Sequence, residues 1–311
     1  MAYSGRMQKS HLYSMFFAPR GNARMADLGM QIAAQYLSPF DQLIGLIGDA
    51  GSGKSMIIKG MFPGLELTND DEGVNVRPLP LLNVDETGFY TPHTYHVDVR
   101  FESGFMQIHQ IADAIQNAIN AGKRVVVEHF DLIYPLMQHN ANLLIGIGEE
   151  IIITRPTLFG PKPKDISDIV FKSIKYRLMV HSAEDICEYL LDKQDIKYHM
   201  YEHSDVRRGF ILSFNERPDV DLEKLEQQIN DIIHDEIPIS FYDESHIKIG
   251  DHIHKCTGPR MHVRNTGTIK KVTFIKDFLI EPITNKYLMV GVIGNVDPNK
   301  IDELNPIAFQ I

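Results

Sequence analysis

The strongest chemical signal in this 311-residue chain is Gly48-Asp49-Ala50-Gly51-Ser52-Gly53-Lys54-Ser55. The spacing G-x-x-x-x-G-K-S lets consecutive backbone N–H groups converge on one anion, with the positive end of a helix behind them. Lys54 can reach the β- and γ-phosphates, and the Ser55 hydroxyl can ligate Mg2+. ATP or GTP with Mg2+ is the ligand this set implies. Gly48, Asp49, Ala50, Gly51, Ser52, Gly53, Lys54 and Ser55 are its expected binding residues. The pattern specifies the ligand and says little about the reaction.

Such a site also needs an acidic group at the end of a neighbouring strand. Glu128, after Val125-Val126-Val127, is the best candidate, and Asp131 lies one turn on. Asp85 and Asp98, each after another strand-like run, are rivals, and any of them can equally be a solvated strand-end carboxylate. Lys54 and Glu128 are the expected catalytic pair. Phosphoryl transfer mainly requires positioning and charge neutralisation, which Lys54, Ser55, Mg2+ and one carboxylate supply. Asn69 to Gly73 and Thr91 to His96 are either solvated loops or the face toward a phosphate acceptor.

These residues need a scaffold of strands alternating with helices. Met25, Leu28, Ile32, Tyr36 and Leu37 have helical spacing, and Ser38-Pro39 ends the helix. Leu43 to Ile47 is a continuous apolar run of the buried-parallel-strand type, directly before the glycine loop. Met56 to Lys59 opens a helix after it. Ile108 to Ile119 forms another helical stripe stopped by Gly122. Arg124 to Glu128 and Glu150 to Thr154 predict two further buried parallel strands. The expected architecture is an α/β domain with a parallel sheet over residues 1–164. Within it, this half resembles the P-loop nucleotide-kinase-like NTPases over the strand, loop, helix and one acidic strand. That resemblance implies an NTP-dependent phosphotransferase or NTPase.

Pro156 to Pro163 carries three prolines and a glycine and is the expected linker. Beyond it the pattern changes to a long helix over about 166–191, strands near 197–202 and 209–214, and a helix over 222–233. Strands at 272–275 and 288–293 follow, predicting an α+β domain over residues 165–311. Cys256 to Ile269 resembles the C-x-G-T-H-V-x-x-T-G-x-I tract of the second additional domain of alanyl-tRNA synthetase, its editing-related module. Leu222 to Ile233 is similar to that domain's L-x-x-(I/L)-E-x-x-(I/V)-N-x-x-I helix, and Leu178 to Ile186 to its I-M-x-x-H-T-A-T-H-L stretch.

The resemblance implies a Zn2+ site made by His181, Asp185, Cys256 and His262, at the centre of a site that hydrolyses mischarged tRNA. Two departures matter. Asp185 stands where the family has a second histidine, and C-x3-H is lengthened to C-x5-H. His181 and Asp185 at i,i+4 can still chelate, and an aspartate makes the site harder. His199 and His203 form a competing H-x3-H register, and His252 and His254 flank Cys256 as substitute ligands. A metal-free packing role for these side chains is the remaining alternative.

Composition narrows the partners. Lys+Arg 31 against Asp+Glu 41 gives a net charge of −10, a poor footprint for wrapping nucleic acid. Lys270, Lys271, Arg260 and Arg264 provide only a local basic patch. The expected partners are a nucleotide and a small-molecule substrate, with tRNA or an amino acid as further candidates. No run is apolar enough to span a membrane, the start lacks a signal-peptide core, and two cysteines fit a reducing cytoplasmic setting. Three functions fit: a kinase-like phosphotransferase or NTPase, a freestanding metal-dependent aminoacyl-tRNA deacylase, and a nucleotide-gated regulatory binding protein.

Overall fold

The computed structural model describes residues 13–68, 80–83, 93–295, 297 and 301–305. The chain divides into two compact units. One comprises residues 1–18 and 22–174; the other comprises Pro19–Gly21 and residues 175–311. The division falls at 174/175, inside one continuous helix, ten residues beyond the expected 164/165 boundary.

The first unit is built on a six-stranded sheet. Its strands are β1 (Tyr13–Phe17), β2 (Leu43–Gly48), β3 (Thr94–Asp98), β4 (Arg124–Glu128), β5 (Leu143–Ile147) and β6 (Glu150–Thr154), in the order β1-β6-β5-β2-β4-β3. β2, β3, β4 and β5 run parallel. The expectation that β6 is also parallel is corrected: it pairs antiparallel with β5 and with β1. The cause is the connection. Only Gly148 and Glu149 separate β5 from β6, and a link that short can only make a hairpin.

Both faces of this sheet are covered, which explains the continuous apolar runs of its strands. On one face, Leu43, Ile47, Val97, Val125 and Val127 pack with Ile111 and Ile115 of the helix Ile108–Asn120. On the other, Ile44, Leu46, Val126, Ile145 and Ile151 meet α1 (Asn22–Tyr36) and α2 (Lys54–Met61). α1 and α2 approach closely through Gly29 and Gly60. A Cβ on Gly60 would lie 2.1 Å from the Ala26 carbonyl oxygen, and one on Gly29 would lie 2.4 Å from that of Ile57. The next helices are α3 (Val99–Glu102), α4 (Ile108–Asn120), α5 (Phe130–Ile133) and α6 (Pro163–Asp192). The start of α6 belongs to the first unit because Ile166 and Val170 are part of the core formed with Leu144 and Ile152.

The second unit takes the rest of α6, then β7 (Tyr201–Val206), β8 (Gly209–Phe214), α7 (Leu222–His234), β9 (Ile239–Asp243), β10 (His246–Ile249), β11 (His252–Lys255), β12 (Val272–Phe274), β13 (Leu279–Ile280) and β14 (Tyr287–Ile293). These strands make two antiparallel sheets, ordered β11-β10-β9 and β12-β14-β8-β7, with β13 paired to β14. The expected strand at 197–202 starts later, because Tyr198–Met200 is a 3-10 turn. α6 and α7 bury Ala183, Ile186, Cys187, Leu225 and Ile229 against Phe210, Leu212 and Met289 of the larger sheet. Among the described residues, no helix is long and apolar enough to cross a membrane.

Candidate functional site

The first candidate site lies at the carboxyl ends of three adjacent strands. β2 ends at Gly48, β4 at Glu128 and β3 at Asp98, with Asp98 opposite Glu128 in the register. Chain order reverses beside β2, since β3 and β4 lie on one side and β5 on the other. In open α/β sheets that crevice is where ligands bind. The loop leaves β2 and enters α2 through Gly51 and Gly53, at φ 73° and 92°. Those values lie in the left-handed region that side chains resist, so the glycines are required by the turn. α2 then begins at Lys54, and its first-turn N–H groups have no helical carbonyl to bind.

Lys54 is 5% exposed, and its Nζ donates to the carbonyl oxygens of Gly48 (3.2 Å) and Asp49 (2.9 Å). The same ammonium lies 3.6 Å from Glu128 Oε2. Ser55 Oγ donates to Glu128 Oε1 at 3.2 Å. The expected Lys54, Ser55 and Glu128 are thus brought together although 73 residues separate the last two. Burial pushes the Glu128 carboxyl up, but the His96 hydrogen bond and the charges of His96 and Lys54 outweigh it and hold it below its ordinary value.

Asp49 is half-buried, 3.7 Å from Arg100 Nη1. Asp98 joins Glu128 and His129 in a group whose ligand atoms lie within 4.8 Å of one another. Asp131, in α5, is outside that group, and Asp85 lies outside the described residues, as do Asn69 to Gly73 and Thr91-Pro92. Two histidines complete this site: His96, expected only as the end of the Thr91 to His96 stretch and with no role toward Glu128, and His129, which carries no such expectation. His96 Nε2 lies 3.3 Å from Glu128 Oε1, and His96 Nδ1 accepts from the Thr68 N–H at 3.0 Å. His129, at φ 57°, is buried; burial and then Lys54 lower its pKa to about 4. A histidine inside the buried Tyr95-His96-Val97 run was the one available signal. A cavity of about 920 Å3 lined by Gln42, Tyr134, Asn142 and Arg155 lies elsewhere in this unit and contains none of the loop residues.

The second candidate site is in the second unit. His181, Asp185, Cys256 and His262 place one ligand atom each within 4.8 Å of one another. Cys256 Sγ is 3.4 Å from His181 Nε2 and 3.7 Å from His262 Nε2, and His262 Nε2 is 2.8 Å from Asp185 Oδ2. Tetrahedral zinc with ordinary Zn–S and Zn–N bonds sets sulfur and nitrogen about 3.6 Å apart. The two sulfur–nitrogen distances already stand near that spacing, while the 2.8 Å between His262 Nε2 and Asp185 Oδ2 is a hydrogen bond that a metal would have to open. Two imidazoles, a thiol and a carboxylate form an acceptable zinc donor set. His262 Nδ1 lies 3.3 Å from the Pro259 carbonyl oxygen, the kind of outer contact that fixes a ligand tautomer. The two extra residues in C-x5-H are absorbed by a turn in which Met261 N–H bonds the Gly258 carbonyl.

Burial drives the electrostatics here. It pushes Asp185 up, but His181 and His262 hold the carboxyl at about 2. Burial and Asp185 push the Cys256 thiol far up, and burial lowers His181. In the competing register, His203 groups with Glu184 and Glu188 and not with His199. His252 is exposed and its ring rests on Tyr189, 4.4 Å between centroids. The two cysteines, Cys187 and Cys256, are both free and buried.

Beside the tetrad, Arg20 grips Glu184 with two hydrogen bonds of 2.7 and 3.1 Å and also pairs with Asp205. The sequence carried a signal for this region: His181, Glu184, Asp185 and Glu188 recur at i, i+3, i+4 and i+7, a polar stripe on a buried helix face.

The sequence was compared with models of known families and with curated proteins. Neither comparison finds a match.

Proposed function

We propose that the first unit is a P-loop domain that binds ATP or GTP with Mg2+ and acts as a kinase-like phosphotransferase or NTPase. The observation that carries this is the convergence of Lys54, Ser55 and Glu128 at the carboxyl ends of β2 and β4, with the glycine turn between β2 and α2. When bound, the nucleotide supplies a transferable γ-phosphoryl group whose charge the ion helps to neutralise. Lys54 is the residue to take up phosphate oxygens, exchanging the Gly48 and Asp49 carbonyls for them. Ser55 Oγ and Glu128 are the groups to hold the ion. His96 keeps the Glu128 carboxylate oriented and charged. Substituting Lys54 by Ala is expected to abolish Mg2+-dependent release of phosphate from ATP or GTP. Wild-type protein that turns over neither nucleotide, alone or with a panel of small-molecule acceptors, counts against an enzyme.

For the second unit, the proposal is a domain similar to the second additional domain of alanyl-tRNA synthetase, which binds or senses a substrate of the first. The zinc-like spacing of His181, Asp185, Cys256 and His262 favours one competing function, a metal-dependent deacylase of mischarged tRNA. The net charge of −10 weighs against it, since phosphate backbones demand cationic surface. Incubating zinc-loaded protein with mischarged tRNA decides between them. Ester loss above the uncatalysed rate supports the deacylase, and none removes it.

A further inference from the structure

A second set of metal-ligating atoms adjoins the tetrad on the same helix stripe. Asp185, Glu188 and His254 bring one ligand atom each within 4.8 Å of one another, and Asp185 belongs to both sets. We infer that the second unit holds two divalent metal ions, bridged by the Asp185 carboxylate. The second ion is held by Asp185, Glu188 and His254. This rests on the reading of His181, Asp185, Cys256 and His262 as a metal site and extends it.

The departure at position 185 then acquires a chemical reason. An imidazole nitrogen offers one lone pair to one ion, whereas a carboxylate has about four lone-pair sites on two oxygens. Asp185 Oδ2 faces the first site, 2.8 Å from His262 Nε2. Oδ1 stands 3.9 Å from His181 Nδ1, beyond hydrogen-bonding distance from that nitrogen. Bridged ions of this kind sit about 3.5–4 Å apart, a separation that one carboxylate spans.

Three further observations point to a cation at the second position. His254 lies on β11 between exposed neighbours, Ile253 and Lys255, yet its Nε2 is buried without a hydrogen-bond partner. A buried, unsatisfied nitrogen is uncommon in a folded protein. Second, Glu184, Asp185 and Glu188 are all buried on one helix face, and the nearby Arg20 is engaged by Glu184 and Asp205. Buried carboxylates are normally paired or bound to metal. Third, Glu188 is already oriented: Tyr201 hydrogen-bonds it, and His203 Nδ1 lies 3.5 Å from its Oε1. Outer contacts of this type accompany ligating carboxylates. The alternative trio of Glu184, Glu188 and His203 is less suited, because Arg20 already occupies both oxygens of Glu184.

The two positions differ in character. The first has a thiol and suits zinc; the second, with two carboxylates and one imidazole, suits zinc, manganese or ferrous iron. The test uses the full chain, stripped with a chelator and titrated with Zn2+ and separately with Co2+. Bound metal is counted by elemental analysis, and the Cys256-to-cobalt charge-transfer band reports the first site. Wild type is expected to take up two equivalents with the band present. His254→Ala, on an exposed strand, and Glu188→Gln are each expected to bind one equivalent and keep the band. Asp185→His is also expected to bind one. A wild-type chain that saturates at one equivalent with the band present overturns the second ion and leaves the tetrad standing. His254→Ala still binding two equivalents overturns the assignment of its ligand. Wild type with neither metal nor band overturns both sites.

Discussion

Lys54, Glu128 and His129 show how single side chains are set by their neighbours. Lys54 is buried and tied to two carbonyls of its own loop, so a bound phosphate would replace contacts already present. His129 is held neutral by burial and by Lys54, with its pKa lowered to about 4 from 6.5. The unfolded chain therefore binds a proton between those values that the folded chain does not, so stability is complete above about pH 6.5 and is lost as pH falls toward 4. After discounting for solvent screening, the loss is on the order of 2 kcal/mol. His129→Asn keeps a residue tolerant of the left-handed backbone at φ 57°. Thermal melts from pH 7 to 4 should show a shallower decline for that variant; an unchanged decline removes His129 as the cause. At the tetrad, Cys256→Ala is expected to retain less zinc than wild type, through loss of the ion held by the tetrad, counted by elemental analysis. Equal zinc in both proteins contradicts the ligand set.

Among the elements, the sites were legible where information is local. The loop's glycines, Lys54 and Ser55 are adjacent in sequence, and the run before them identified β2. Glu128 was accessible because a strand-end carboxylate follows a valine run. His96 and Arg20 were not, since their roles depend on pairing with β4 and on contacts 164 residues away. The direction of β6 was misread because burial on both faces makes an isoleucine run look the same in either direction. Direction came from the two-residue link to β5, a strand the sequence reading did not mark. The α1–α2 crossing gives a direct test. Gly60→Ala adds a methyl group where the Ala26 carbonyl oxygen would be 2.1 Å away. The gain in helix propensity is about 1 kcal/mol, against an overpacking cost of about 1–3 kcal/mol. A backbone carbonyl cannot swing aside, so the urea midpoint is expected to fall. A midpoint that rises means the helices are farther apart than described.

For the chain taken entire, composition and compactness set the frame. Two units with separate cores account for its length, and the continuous helix α6 explains why a proline-rich stretch did not mark the division. A net charge of −10 is no obstacle to a nucleotide bound by backbone N–H groups and one lysine, and it is an obstacle to a tRNA backbone. Calorimetric titration of MgATP and MgGTP into the full chain and its Lys54→Ala variant tests nucleotide binding by the loop most directly. Wild type should bind at least one of them saturably. Loss of a charged hydrogen-bond donor worth about 1.5–3 kcal/mol should weaken the variant roughly 10- to 150-fold. No binding of either nucleotide, or equal affinity in both proteins, would contradict a nucleotide site at Gly48–Ser55.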